Sequence, residues 1–194
     1  EQSPVEHYDC TYLHLTGLNP LGTGTIQCNN LGASKSNYGR KLSMYLSDAT
    51  LENSLVLRGR YAMTFVAMTD TTNCLAGVID GSAQRFAPNY SIAANAKLVV
   101  EQPLNFGEMI PNNLWSISAS PSQKDRKKTA DLAFNGAITY NHTIQITSSF
   151  GTLSLNAPSN HIGAISVTVN DADTTLALNA DDALADGFTA LHVS

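Results

Sequence analysis

Charge is scarce in this chain of 194 residues. Only 14% of the residues are Asp, Glu, Lys or Arg, well below the roughly 25% usual in soluble domains. The net charge of −5 excludes the dense Lys/Arg surface that a phosphate backbone demands, so nucleic acid is not expected as a partner. The one basic cluster, KDRKK at 124 to 128, lies beside Ser and Pro and reads as a solvated loop. No apolar run is long enough to cross a membrane as a helix, and no membrane partner is expected. No leader is visible. The opening EQSPVE, without Met, reads like the start of a mature, processed or trimmed chain.

Catalytic signatures are missing too. There is no GxSxG elbow and no HExxH pair. GTGT at 22 to 25 lacks the third glycine, the Lys and the following helix of a phosphate loop, so it reads as a hairpin turn. Cys74 has no base partner nearby in sequence. His7 and His14 are seven residues apart, which on a strand places them on opposite faces. With Cys10 they make a poor zinc set, and they read with His142, His161 and His192 as surface histidines. Asp171, Asp173, Asp181 and Asp182 lack the spacing of a calcium loop. No cofactor, metal or enzymatic activity is expected.

Cysteine and tryptophan are rare, with three Cys and one Trp. An odd cysteine count in a secreted chain suggests one bridge and one leftover thiol. Cys10 and Cys28 flank the turn-rich GLNPLGTGT, and a bridge between them would stabilise by roughly 3 kcal/mol. The competing reading is three reduced thiols. Trp115 reads as half-buried core, or as a sugar-stacking platform together with Tyr90 or Tyr140. NYS at Asn89 and NHT at Asn141 are glycosylation acceptors where the host uses them.

What the chain has in plenty is alternation with period two. Tyr61, Met63, Phe65 and Ala67 share one face, as do Ile144 and Ile146, Leu153 and Leu155, and Ile165, Val167 and Val169. Turn residues punctuate these runs in NPLGTG, DGS, APNY, IPNN and APSNH. The expected fold is therefore all-β, an immunoglobulin-like or jelly-roll antiparallel β-sandwich. At most one or two short helices are expected, at 46–55 and 179–188. No internal repeat is evident. The expectation is one domain over 1–194, with an elaborated half at 1–90 and an extension at 171–194. Pro103 cannot donate to a ladder, so it should split one run into two strands serving different sheets, with Pro111 ending the second.

LVVEQPLNFGEMIP (98–111), GTLSLNAPSN (151–160) and HIGAISVTVN (161–170) together resemble fimbrial pilin domains of the alternative and archaic chaperone–usher type. The resemblance rests on Leu104, Phe106 and Gly107, and on Gly163, Ile165, Val167 and Val169. It covers roughly 91–170. The first 90 residues, the absence of cysteine after position 74 and the 24 residues beyond SVTVN depart from it. It implies a sandwich lacking one strand, completed by strand donation. Leu176, Leu178 and Ala180 would then be donor side chains within 172–194, and Leu153, Leu155, Ile165, Val167 and Val169 the groove. The alternative for that segment is an ordinary last strand with a short helix.

The function this implies is a structural or adhesive subunit of a secreted, cell-surface fimbrium. Its partners would be neighbouring copies or sister subunits through strand exchange, and a host glycan or protein receptor. A virion component (capsid, tail or receptor-binding) and a carbohydrate-binding surface module are the other readings.

Overall fold

The computed structural model describes residues 10–29, 41–59, 62–84, 88–105, 115–120, 129–158, 161–184 and 190–193. These residues hold fifteen β-strands and no helix. Every strand pairing is parallel. The chain winds into a β-solenoid, and the antiparallel sandwich expected from the alternation is not the fold.

Three faces recur in chain order. Face one stacks β1 (Cys10–Leu18), the first part of β3 (Lys41–Leu51), β5 (Ala62–Ala67), β8 (Asn89–Ala93) and β11 (Trp115–Ser120). The middles of β13 (Ile138–Leu155) and β14 (His161–Leu178), then β15 (Ala190–Val193), continue it. Face two stacks the ends of β1 and β3, then β6 (Thr72–Leu75), β9 (Lys97–Val100), β12 (Asp131–Phe134) and the ends of β13 and β14. Face three stacks β2 (Ile26–Asn29), β4 (Leu55–Gly59), β7 (Ile79–Gln84), β10 (Leu104–Asn105) and the start of β13.

Alternation explains the strands but not their partners. A parallel pair ordinarily needs a crossover of a dozen or more residues. Here the crossover is the other two faces of the same turn. The interior is built of columns in which like sits on like. On face one, Met44, Phe65 and Tyr90 follow one another, with the Phe65 and Tyr90 rings stacked at 5.5 Å. On face two the column is Leu51, Leu75, Val100, Phe134, Leu155 and Leu178. On face three it is Ile26, Leu55, Ile79, Leu104 and Ile138. Phe134 meets Tyr90 edge to face across the interior at 5.5 Å, which ties two faces together. Each fully buried large side chain contributes roughly 1.5–3 kcal/mol.

The corners carry the polar chemistry. Between faces one and two, Asp48, Asp70 and Asn95 take positive φ of 50°, 58° and 54°, a conformation Asp and Asn tolerate. Asp48 Oδ1 accepts from the Thr72 N–H at 2.9 Å, and Asn95 Nδ2 donates to Asp70 Oδ1 at 2.8 Å. Buried Asn73 accepts from the Ala49 N–H at 3.0 Å and donates to Thr71 Oγ1 at 2.8 Å. The segment 46–55, expected as a helical turn, is strand and corner instead.

Between faces two and three the corners that begin at Glu52, Ala76, Glu101 and Asn135 are three residues long, and the first corner positions form a column: Asn19, Glu52, Ala76, Glu101, Asn135, Asn156, Asn179. Their backbone N–H groups bond carbonyls one turn back: Ala76 to Leu51, Glu101 to Leu75, Asn135 to Val100, Asn156 to Phe134 and Asn179 to Leu155. At the second corner position Gly77 and Gly136 have no room for a side chain. A Cβ would collide with the Asn53 carbonyl at the first and with the Gln102–Pro103 peptide at the second. Pro103 lies in this corner between β9 and β10, turning the chain from one face of the solenoid to the next.

Candidate binding face

Leu15, Leu42, Met44 and Leu46 occupy the interior of face one, and Leu13 packs against it from the end. Period two then obliges the residues between them to point outward. These are Tyr12, His14 and Thr16 on β1, and Ser43, Tyr45 and Ser47 on β3. The register pairs His14 directly with Tyr45. Parallel neighbours lie about 4.8 Å apart, so paired rings stack. The His14 and Tyr45 rings are 4.7 Å apart and 12° from parallel. The Tyr12 ring lies 6.1 Å from Tyr45 at 47°, and Tyr12 is 58% exposed. Thr64, Val66, Asn89 and Ser91 extend the same outward rows along β5 and β8. Ser43 and Ser47 flank Tyr45 along β3, and Thr64, Asn89 and Ser91 continue the outward rows on β5 and β8; none carries a formal charge. Chemically this is an exposed aromatic cluster, two rings stacked on each other and a third inclined beside them, bordered by neutral hydrogen-bonding groups.

The residues singled out from the sequence fall elsewhere. Tyr90 and Tyr140 are buried and cannot serve as sugar platforms. Burial raises both phenols, Tyr140 to about 12. Trp115 opens β11 beside Ile144, and its side chain lies outside the described residues. Cys28 is a free, buried thiol, so the bridge expected with Cys10 is not formed. Its pKa is raised by burial. Cys74 is also free, raised by burial and then by the negative Glu101. GTGT is not a hairpin turn, because β1 pairs with β3 and β2 with β4. Asn53 Nδ2 instead holds that loop, donating to the carbonyls of Gly22 at 2.8 Å and Gly24 at 2.6 Å.

Leu153, Leu155 and Ile165, expected as groove, line the closed interior. Val167 and Val169 stand beside Ile146 and Ser148 in β14. Leu176 pairs with Leu153, Leu178 with Leu155, and Ala180 begins the following turn. The segment expected to donate is thus the last part of a strand already paired with its own chain. His14 joins the platform. His7, Phe106, Gly107, Pro111 and the basic cluster at 124–128 lie outside the described residues, as do the side chains of Asp171 and Asp173, while Gly163 is part of β14. Asp181 and Asp182 are exposed. Among the described residues no three His, Cys, Asp or Glu stand together as a metal set.

Sequence reasoning passed over Tyr12 and Tyr45. The signal was present in TYLHLT and KLSMYLS, where the aromatic residues fall out of step with the leucines. No protein-family model matches this chain, and neither a curated protein nor a solved structure shows significant similarity to it.

Proposed function

We propose that the chain is a surface adhesive module that binds neutral carbohydrate on the outward face of β1 and β3. The observation that carries the reading is the stacked His14–Tyr45 pair beside exposed Tyr12. The C–H face of a pyranose is apolar and packs on such rings, while its hydroxyls need neutral donors and acceptors of the kind Ser43, Ser47 and Thr64 offer. The charge-poor Ser/Thr/Asn surface fits a secreted, cell-surface setting. The fimbrial reading by strand exchange loses its support, because it required a sandwich with a missing strand.

The test is retention in gels containing neutral polysaccharides, followed by calorimetry with the oligosaccharide that binds. Tyr12→Ala should weaken binding about tenfold, equivalent to about 1.4 kcal/mol. Thr152→Ala, on face two, should leave it unchanged. Absence of retention by any neutral glycan, or equal binding by Tyr12→Ala, would sink the reading.

A further inference from the structure

Leu13, Ile26 and Leu176 are partly buried, unlike the inner members of their columns. Leu13 heads the column of Met44, Phe65 and Tyr90, each fully buried. Ile26 heads that of Leu55, Ile79, Leu104 and Ile138. Leu178 closes the column of Leu155 and Phe134, and is 46% exposed where those two are at most 1%. Leu15 and Cys28, which head other columns at the β1–β2 end, remain buried, so the apolar surface offered axially is that of Leu13 and Ile26 at one end and of Leu176 and Leu178 at the other.

The backbone shows the same pattern. Among the described residues β1 pairs only with β3, β2 only with β4, and the last six residues of β14 only with β13. Such edges are templates for further pairing. The amide column has matching ends. Asn135 donates to Glu101 at 2.8 Å, Asn156 to Asn135 at 2.7 Å and Asn179 to Asn156 at 2.8 Å. Each amide oxygen accepts from the turn beyond it, so Asn179 Oδ1 is the acceptor that ends the series. Asn19 heads the same column, and its Nδ2 donates to Glu52 at 2.7 Å. That nitrogen carries a second N–H.

We propose that copies of this chain associate head to tail, the β1–β2 end of one stacking on the β14 end of the next. The occupant is a second copy because its β1–β2 turn repeats the strand direction, the three-face outline and the corner amide that the β14 end presents. A head-to-tail contact uses two different surfaces and does not close by two-fold symmetry, so it extends into filaments. It would also align successive Tyr12–Tyr45 platforms on one side, although it stands without the carbohydrate reading.

The test is sedimentation velocity of the full chain over a wide concentration range, with negative-stain microscopy. The expected result is a concentration-dependent ladder of oligomers and linear particles. Leu13→Lys places an inward charge at the upper end, with Ile26→Lys as a second upper-end variant should the first not fold. Leu178→Lys does the same at the lower end. Circular dichroism and melting confirm that each is folded. Each variant alone should be monomeric. An upper-end and a lower-end variant mixed should form a dimer and nothing longer, since each keeps one intact end. Val99→Lys, on the outward side of β9 midway along face two, should assemble like the parent. A parent chain that stays monomeric throughout, or folded variants that fail to dimerise when mixed, would overturn the proposal.

Discussion

Tyr140 links the fold to pH through a single side chain. Burial holds its phenol up to about 12, against an ordinary value of 10. The raised value means the fold favours the protonated, neutral form. That contribution is complete below pH 10 and is lost as pH rises from about 10 to about 12. Tyr90 shifts in the same direction for the same reason. Denaturant melts across that window should show stability falling, and Tyr140→Phe should flatten the fall. A variant as steep as the parent would place the alkaline sensitivity elsewhere. The burial of both tyrosines was legible from the sequence. In NYSIA, Tyr90 is in step with Ile92, and in AITYN, Tyr140 is in step with Ile138. Ring chemistry suggested a platform, but phase decides the matter, and phase also puts Tyr12 and Tyr45 outside. The free state of Cys28 was not legible, because two cysteines flanking a turn look the same whether the adjoining strands pair with each other or with different neighbours.

At the scale of the element, the corner between faces two and three is the repeating unit. It appears as LENSL, LAGVI, VEQPL and FNGAI, ending at Leu55, Ile79, Leu104 and Ile138. No repeat was evident in the sequence because only a few positions recur and the spacing is uneven. Leu51 and Leu75 are 24 residues apart, Val100 and Phe134 are 34, and Phe134 and Leu155 are 21. The common constraint is geometric: an apolar residue inside, a small or amide-bearing corner, and an apolar residue inside again. Within the column of corner amides, Ala76 marks a reversal. On one side Asn19 donates toward Glu52, and on the other Asn135 donates toward Glu101. Two carboxylates therefore flank a residue with nothing to give them, about 9.5 Å apart by strand spacing. Ala76→Lys supplies donors without an acceptor. It should raise stability by about 0.5 kcal/mol, as exposed pairs do. The gain should shrink in high salt, whereas Ala76→Asp should destabilise. Equal melting temperatures for the parent and both variants would contradict this view of the corner.

For the molecule as a whole, alternation identified the strands and the all-β class but left open which strands are neighbours. A sandwich and a solenoid both bury one side of each strand and turn on Gly, Asn, Asp and Pro. What separates them is partner choice, and that is set by column packing such as Phe65 on Met44, which no local window displays. Because each turn touches mainly its neighbours, stability should vary along the axis. Amide hydrogen exchange should be slowest in β5, β6, β8 and β9, which have turns on both sides, and fastest in β1 and β2, which among the described residues pair on one side only. Uniform protection would mean that the ladder opens as one unit. The same architecture has a mechanical consequence. The chain runs around the axis rather than along it, so tension applied through the termini loads one turn at a time, as in peeling. Each yielding turn of 21 to 34 residues would release roughly 70–120 Å of contour. Such a molecule stretches in a series of small yields instead of rupturing at once, a useful behaviour in a tether that must hold under drag.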